Sequence, residues 1–340
     1  MTAFRLRDEG YQVTGIYMRT WKDPKFLEAV EASSAPELFA AEVADSIGIP
    51  FICLDVRDQF YQKVVCSFIQ QYVLGNTPNP CLFCNPQVKW GILQSYALEQ
   101  GAHYFATGHY ARIERVTNEQ VQLKRGVDPH KDQSYVLSML TQSQLKRSLL
   151  PLGVMTKTEV RAQAKQLNLP VADRQDSQDL CFLGDVDYRD FLQRHAPEVT
   201  APGEIVNTEG EVLGEHQGLA FYTIGQRKGI RIAATEPYYV VDKDTQNNRL
   251  IVGYSQNAAK SNLSAVKPNW IAGEPPPVGQ SYDVMVRYRA SPVPTLLTSA
   301  SKDEFRLELS RPLRGITPGQ VAVLYQDQVC LGGGIISKTS

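Results

Sequence analysis

The stretch FICLDVRDQFYQKVVCSFIQQY, residues 51–72, decides the fold of the first half of the chain. Its first six residues form a short apolar run that is typical of a buried strand. The apolar residues that follow recur every four positions, which places them on one face of a helix; they are Phe60, Val64, Phe68 and Tyr72. Because similar strands and helices flank this stretch, the pattern predicts a parallel β-sheet with helices on both faces.

The flanking segments follow the same alternation. A second apolar strand is predicted at VTGIYM, residues 13–18, and a strand that leads into a turn at HYFATGHY, residues 103–110. Residues 86–99 have a helical pattern. The segment TPNP, residues 77–80, contains two prolines and must form a loop.

Two capping boxes predict the starts of further helices. One is SAPE, residues 34–37, and the helical face behind it consists of Phe39, Val43 and Ile47. The other is formed by Thr156 and Glu159, and we expect its helix to end near Asn168.

The pattern changes near residue 200, where alternation replaces the helical period. Tyrosine and valine side chains at every second position of residues 282–288 share one face of a predicted strand, and Arg287 and Arg289 share the other. Residues 305–309 and 321–325 alternate in the same way. These strands predict a small antiparallel barrel or sandwich.

The composition excludes several classes of protein. There are 35 Lys and Arg residues against 36 Asp and Glu, so the net charge of −1 is too small for a protein that coats nucleic acid by bulk attraction, although local basic patches remain available. Six cysteines in 340 residues do not make a disulfide scaffold. Since the sequence has neither an apolar run of membrane-spanning length nor a secretory signal, we expect a cytoplasmic protein with no membrane partner.

Cys81 and Cys84 form a C-x-x-C motif between the loop at 77–80 and a predicted helix. A helix amino terminus lowers the pKa of a thiol, so the motif could supply a sulfur nucleophile. The alternative is a pair of buried cysteines that pack as small hydrophobic side chains. No second C-x-x-C completes a zinc site, but Cys81, Cys84 and Cys181 could provide three ligands for a metal ion or an iron–sulfur cluster.

Several polar segments could contact a ligand or a folded RNA, although each alone is most often a solvated loop. Residues 107–110 follow a predicted strand, where α/β sheets bind ligands, and the polar run at 176–180 leads directly to Cys181. Gly332 to Gly334 precede a strand and lack the context of a phosphate loop. Basic residues lie beside aromatic or amide side chains at 131–133, 222–232, 286–289 and 311–320, and 286–289 is predicted as a basic, aromatic strand.

Taken together, these segments resemble the tRNA-specific 2-thiouridylase family. The matching runs keep the family's order along essentially the whole chain: GNTPNPCLFCN, ATGHYAR, KDQSYVL, DSQDLCF, GEHQGL, YTIGQRKGI, YYVVDKD, VRYRA, TPGQ and CLGGGII. The resemblance implies an adenine-nucleotide α-hydrolase-like catalytic domain of the α/β class with a parallel sheet, a small central domain and a C-terminal antiparallel β-barrel. We expect these domains at residues 1–198, 199–258 and 259–340.

The resemblance also implies an ATP-dependent tRNA sulfurtransferase. Such enzymes adenylate carbon 2 of the wobble uridine in the tRNAs for Lys, Glu and Gln and then replace its oxygen with sulfur. Cys84 corresponds to the family's nucleophile and Cys181 to its persulfide-carrying cysteine, and the two form a transient disulfide. ATP and Mg²⁺ are the implied cofactors, and a cysteine desulfurase or a sulfur-relay protein is the implied sulfur donor.

Other positions of the family's site transfer individually. Met18 and Gly108 match ATP-contacting positions. Asn79, Pro80 and Cys81 match the segment that meets the target base. The tRNA-contacting positions are matched by His109, Lys131, Asp132, Gln133, Arg287, Tyr288 and Gln320.

Two features depart from the family. Many relatives have Asp at the position of Cys81, whose thiol is a poor acid or base at neutral pH. The family also opens with a strand and an SGGVDSS-type pyrophosphate loop, and this chain begins after that point, so we expect the native protein to be longer. If the chain is complete, we expect very poor ATP-dependent activity, and the alternative is a tRNA-binding protein without thiolation. A C-x-x-C thiol redox protein is the third hypothesis.

Overall fold

A computed structural model describes residues 1–25, 36–117, 119–170, 180–184 and 186–340. The first half combines helices with parallel strands, and the second half consists mainly of antiparallel strands. The expected fold class, a parallel-sheet α/β domain followed by β-rich parts, is confirmed. None of the described helices is both long enough and apolar enough to cross a membrane.

Two parallel strand pairs lie in the first part of the chain. Strand β1 (Gly15–Arg19) pairs with β2 (Phe51–Asp55), and β3 (Phe105–Ala106) pairs with β6 (Ser148–Leu149). The predicted strands that correspond to β1, β2 and β3 are confirmed. Strands β4 and β5, which separate β3 from β6 in the chain, form an antiparallel hairpin and are described with the barrel below.

The helices of this part precede, separate and follow these strands. They are α1 (Thr2–Asp8), α2 (Pro36–Ser46), α3 (residues 57–73), α4 (residues 81–99), α5 (Ser134–Leu137), α6 (Gln142–Lys146), α7 (Lys157–Gln166) and α8 (Tyr188–His195). Helix α3 joins the α-helical segments Arg57–Phe60 and Cys66–Val73 through a π-helical turn, Tyr61–Val65. Its predicted inner face is confirmed, because these four residues are at most 9% exposed: Phe60, Val64, Phe68 and Tyr72.

Helix α4 begins five residues earlier than the expected start at residue 86. It opens with Cys81–Cys84, widens into the π-helical stretch Asn85–Leu93 and ends with Gln94–Glu99. The side-chain oxygen of Asn79 accepts a hydrogen bond of 3.1 Å from the Cys81 N–H, which satisfies one of the free donors at the helix start. The loop at 77–80 is confirmed, and the C-x-x-C motif lies in the first turn of the helix.

The capping box of α7 is confirmed. The Thr156 hydroxyl accepts the Glu159 N–H at 3.3 Å, and the Glu159 carboxylate accepts the Thr156 N–H at 2.7 Å. The helix ends at Gln166, two residues before the expected end, and Asn168 adopts a left-handed conformation with φ of 49°. Ser34 of the other predicted box lies outside the described residues.

The middle of the chain forms a four-stranded sheet. Its strands are β7 (Gly203–Val206), β8 (Val212–His216), β9 (Tyr239–Asp244) and β10 (Arg249–Gly253), in the order β8-β7-β10-β9. Strands β7 and β10 run parallel, and the other two pairings are antiparallel.

The C-terminal part is a closed antiparallel barrel, as predicted. Neighbouring strands pair in the order β11-β14-β13-β12-β15-β16, and β11 also pairs with β16, which closes the ring. Phe305, Leu307 and Leu309 are buried inside it, as their alternation predicts, and Gly332 to Gly334 lie within the last strand. The strands are β11 (Ala259–Trp270), β12 (Ser281–Met285), β13 (Val293–Ala300), β14 (Glu304–Arg314), β15 (Val321–Gln326) and β16 (Val329–Thr339).

Strand β15 is buried on both faces. Ala322 and Leu324 belong to the barrel core, whereas Val321, Val323 and Tyr325 belong to the core of the first part of the chain. The alternation predicted for residues 321–325 is therefore present, but it separates two cores and not a core from solvent.

A hairpin from the first half extends the barrel sheet, which the sequence analysis did not predict. Strand β4 (Ala111–Arg115) pairs with β5 (Val121–Arg125), and β5 pairs with β16. The sheet that contains the barrel thus includes two strands that lie far earlier in the chain.

The prediction of a basic strand at residues 286–289 is wrong. Strand β12 ends at Met285, and the following residues form a turn in which Arg289 has a φ of 62°. A left-handed residue cannot continue an extended strand, so the two arginines do not share a strand face. Arg287 and Arg289 are both exposed on this turn.

The attachment of the barrel to the first part gives a stability prediction. The Tyr135 hydroxyl donates a 2.9 Å hydrogen bond to the Val321 carbonyl, and Tyr135 is 0% exposed. Tyr135→Phe leaves that carbonyl without this donor, so we expect a loss of about 1–3 kcal/mol, visible in chemical denaturation. The matched control is Tyr11→Phe, since Tyr11 is 43% exposed. Equal midpoints for the two variants would contradict this account of the attachment.

Candidate active site

The two thiols of the C-x-x-C motif differ in exposure. Cys84 is 7% exposed, and its N–H donates to the Pro80 carbonyl at 2.9 Å. Cys81, one turn earlier in α4, is exposed at the surface. The first turn of α4 therefore presents one outer and one inner sulfur.

Burial decides the protonation state of both thiols. It raises the pKa of the Cys84 thiol to about 12, and it also raises the pKa of Cys81, because the protein around this sulfur displaces water although the residue is exposed. The prediction that the helix terminus lowers these pKa values is wrong. The cost of placing a negative charge among protein atoms exceeds what the helix terminus contributes.

Cys181 brings a third sulfur to the same region. Its negative charge would raise the pKa of both Cys81 and Cys84. The residue is exposed, whereas Phe182 beside it is only 1% exposed. The amine of Lys22 donates a hydrogen bond to the Cys181 carbonyl. The polar run at 176–179 that precedes this segment lies outside the described residues.

Lys89 is a site residue that the sequence analysis missed. Its positive charge lowers the pKa of the Cys81 and Cys84 thiols, against the effect of burial, and also lowers the pKa of His109. It lies on the π-helical stretch of α4, five residues after Cys84. A helix that begins at residue 81 places positions 81, 85 and 89 on one face, so the correct helix start would have revealed it.

His109 lies just beyond β3 and is uncharged at neutral pH. Burial lowers the pKa of its imidazole well below the usual value, and Lys89 acts in the same direction. Its Nδ1 lies 2.8 Å from the Thr107 hydroxyl, and its ring centroid lies 5.4 Å from that of Trp90. A neutral imidazole suits hydrogen bonding to a base or hydroxyl better than an ion pair with phosphate.

The two predicted ATP positions lie on different strand pairs. Met18 is half-buried on β1, opposite Leu54 of β2. Gly108 is exposed just after β3. A Cβ atom at Gly108 would lie 3.5 Å from the Thr2 hydroxyl, an ordinary contact, so the protein itself does not require glycine there. Both residues lie towards the carboxyl ends of parallel strands, where α/β sheets bind ligands.

Two of the predicted tRNA contacts use their side chains inside the protein. The Asp132 carboxylate accepts the N–H groups of Gly126 and Ser134, each at 3.0 Å. The Gln133 side-chain oxygen accepts the Tyr110 N–H at 2.9 Å, and the Gln133 backbone N–H donates to the Tyr110 carbonyl at 2.8 Å. These bonds hold the loop at 131–133 in place, with Lys131 half-buried beside them.

The loop at 77–80 is held from the barrel. The Gln320 side-chain amide donates to the Thr77 carbonyl at 2.6 Å, and the Thr77 N–H donates to the Pro318 carbonyl at 3.2 Å. Pro80 is buried, and the Asn79 side chain accepts the Cys81 N–H at the start of α4. Gln320 therefore positions the segment that leads to the thiols.

The turn at 286–289 faces the same region. Tyr288 is half-buried, and its ring centroid lies 6.1 Å from that of Tyr135. Burial raises the pKa of its hydroxyl; the neighbouring Arg289 opposes this effect, and negative charges on Asp132 and Cys81 add to it. The turn thus brings Tyr288 close to the outer thiol, with Arg287 exposed beside it.

Family models match nearly the whole chain. They describe a tRNA methyl transferase HUP domain at residues 1–185, a tRNA methyl transferase PRC-barrel domain at 189–254 and an aminomethyltransferase beta-barrel domain at 260–336. The chain is 42% identical to the tRNA-specific 2-thiouridylase MnmA 1 of Caldanaerobacter subterraneus subsp. tengcongensis, over 99% of this chain and 94% of that protein. The tRNA-specific 2-thiouridylases MnmA of Cupriavidus metallidurans and Proteus mirabilis are 40% and 42% identical, over 99% of this chain and 95% and 93% of theirs.

The chain belongs to the tRNA-specific 2-thiouridylase family. The family resemblance stated from the sequence motifs is confirmed. In this member of the family, a negative charge on Cys181 raises the pKa of the Cys81 and Cys84 thiols, and the positive charge of Lys89 lowers the same two pKa values.

An iron–sulfur cluster at these cysteines is not supported. Among the described residues, no group of three or more His, Cys, Asp or Glu side chains is placed to hold a metal ion. All six cysteines are free thiols, and the sulfurs of Cys81, Cys84 and Cys181 do not converge as cluster ligands. Their proximity fits successive reactions of sulfur better than shared coordination.

The role of Lys89 gives a testable prediction. Lys89→Met removes the positive charge that opposes burial, so the pKa of Cys81 rises and less thiolate is present at a given pH. We expect alkylation of Cys81 by iodoacetamide at pH 8 to slow by about two- to fivefold, as followed by peptide mass spectrometry. Lys63→Met is the matched control, since Lys63 is an exposed lysine of α3. An unchanged rate in Lys89→Met would show that its charge does not reach the sulfur.

Proposed function

We propose that this protein converts the wobble uridine of tRNA to 2-thiouridine, as a tRNA-uridine 2-sulfurtransferase. The observation that supports this most directly is the named activity of relatives that are about 40% identical over 99% of the chain. The effect of a Cys181 charge on the pKa of both thiols of the C-x-x-C motif supports the same reaction.

The first proposed step activates the base. The oxygen on carbon 2 of uridine attacks the α-phosphorus of ATP, the bond to pyrophosphate breaks, and AMP remains on that oxygen as a good leaving group. Met18 and Gly108 are the proposed contacts of ATP. Mg²⁺ is the proposed metal ion, which proteins commonly hold together with substrate phosphates and water.

The second proposed step transfers sulfur. The terminal sulfur of a Cys181 persulfide attacks carbon 2, AMP leaves with the oxygen, and Cys181 is then joined to the base through a disulfide. The Cys84 thiolate attacks the Cys181 sulfur, a Cys84–Cys181 disulfide forms, and the electron pair of the broken bond stays on the sulfur of 2-thiouridine. A thiol reductant must return two electrons before the next turnover, and a cysteine desulfurase or a relay protein must reload Cys181.

The proposed RNA contacts fall into two groups. Arg287 is exposed, and His109, Lys131 and Tyr288 are half-buried residues, so we propose direct contacts with the RNA for these four. The remaining positions act by shaping loops beneath the RNA; they are Asn79, Pro80, Asp132, Gln133 and Gln320. Cys81 is exposed and is the proposed contact of the target base.

The other proposals from the sequence stay with this function. We propose domains at residues 1–198, 199–258 and 259–340, the tRNAs for Lys, Glu and Gln as substrates, and the cytoplasm as the site of action. The relatives carry the name of the enzyme, which does not favour a tRNA-binding protein without thiolation. The proximity of Cys181 argues against a redox protein that uses Cys81 and Cys84 alone.

The test of this function is 2-thiouridine formation by the complete native protein with ATP, unmodified tRNA and a persulfide donor. We expect the product in digested tRNA by mass spectrometry, and a loss of more than about 100-fold in Cys84→Ser and in Cys181→Ser, because each removes a sulfur that exchanges bonds. Cys66→Ser is the matched control, since Cys66 is a half-buried thiol of α3 outside the site. Wild-type activity in Cys181→Ser would overturn the proposed role of Cys181. If the folded wild-type protein forms no 2-thiouridine, the proposed function is overturned.

The raised pKa of Cys84 gives a pH prediction. With a thiol pKa of about 12, Cys84 is protonated at neutral pH, and the thiolate fraction grows tenfold for each unit of pH below that value. We expect release of thiolated tRNA in a single turnover to speed up about tenfold from pH 7 to pH 8, and again to pH 9. A rate that is flat over this range would show that another group removes the Cys84 proton before release.

A further inference from the structure

The segment that bears Cys181 is joined to a buried charge in the first part of the chain. The Asp23 N–H donates to the Phe182 carbonyl at 3.0 Å, and the neighbouring Lys22 amine donates to the Cys181 carbonyl. The backbone on both sides of the Cys181–Phe182 peptide bond is thus held by residues 22 and 23.

The Asp23 side chain is 0% exposed and fully engaged. One carboxylate oxygen accepts the Arg194 guanidinium and the Lys25 N–H, each at 2.9 Å. The other lies 3.2 Å from Nε2 of His195. Burial raises the pKa of this carboxyl, but its hydrogen bonds to Arg194, Lys25 and His195 together lower the pKa by more than burial raises it. The carboxyl therefore stays ionised at neutral pH.

Aromatic packing also holds the segment that bears Cys181. The Phe182 ring lies 5.4 Å from that of Phe68 and 5.8 Å from that of Phe191, measured between centroids. The His195 ring in turn lies 4.4 Å from that of Phe191. Cys181 is therefore an exposed thiol attached to a residue whose position is fixed from several sides.

A buried ion pair is not needed for stability here, since apolar side chains of similar volume are often as stable. The carboxylate instead fixes an orientation. Its three hydrogen bonds set the orientation of residue 23 and thus of the backbone N–H that donates to Phe182. We infer that Asp23, anchored by Arg194 and His195, is a positioning residue that sets the distance between the Cys181 sulfur and Cys84. This inference rests on the proposed roles of these two cysteines in sulfur transfer.

The experiment separates positioning from folding and from base activation. In Asp23→Asn, the charge is lost at nearly constant shape. We expect oxidation of Cys84 and Cys181 to a disulfide by diamide, which takes up the two electrons and two protons, to slow about tenfold, and thiolation of tRNA to slow to a similar extent. Pyrophosphate release from ATP with tRNA should stay within about twofold of wild type, which a general structural defect would not allow.

Asp190→Asn is the matched control. Asp190 lies on helix α8, as do Arg194 and His195, and pairs with Lys25 at the surface. An exposed ion pair contributes little to stability, so the disulfide and thiolation rates of Asp190→Asn should equal those of wild type. A wild-type disulfide rate in Asp23→Asn overturns the positioning role. If Asp23→Asn lacks a cooperative thermal transition, Arg194→Gln replaces it and the same outcomes decide. If wild type makes no 2-thiouridine, the proposed function fails, and the disulfide rates still judge the positioning role.

Discussion

The ring of Tyr325 lies where the barrel meets the first part of the chain. The Arg125 guanidinium lies 3.8 Å from its centroid, and its hydroxyl lies 3.1 Å from the Ser134 hydroxyl. Ser134 in turn donates to the Asp132 carboxylate at 2.8 Å. This contact links strand β15 to the loop at 131–133, while Gln320, the residue before the same strand, holds the loop at 77–80. The position of both loops around the thiols therefore depends on the docked barrel.

A second constraint is electrostatic. Burial keeps the two thiols of the C-x-x-C motif protonated, and Lys89 offsets only part of that effect. A protonated thiol is a weak nucleophile, so the resting protein is protected from unwanted oxidation and exchange. In the proposed reaction, Cys84 must lose its proton when the covalent intermediate is in place. Lys89 is the positive charge within reach of both thiols that favours this change.

Much of the fold could be predicted from local patterns. The four-residue period from Phe60 to Tyr72 is strong enough to define the buried face of α3, and alternation at 305–309 defines a barrel strand. Local patterns failed where distant parts of the chain decide the outcome. The outer face of β15 is covered by residues that lie almost 200 positions earlier, and the turn after Met285 depends on the left-handed conformation of Arg289.

The candidate site shows the same division. Motifs that resemble the family identified the cysteines and the loops around them, because these match by residue type and order. The pKa values of the thiols could not be predicted, since they depend on tertiary packing around α4. Lys89 was missed because the predicted helix began too late. Asp23 was missed because its partners lie on a helix some 170 residues away.

The central claim is that Cys84 and Cys181 exchange bonds during sulfur transfer. The most direct measurement is a single turnover of the complete native protein, loaded with persulfide and quenched with an alkylating reagent, followed by peptide mass spectrometry. The account predicts a disulfide-linked pair of peptides that contain Cys84 and Cys181, formed in the same amount as 2-thiouridine. Formation of 2-thiouridine while both cysteines are recovered as separate alkylated peptides would contradict it.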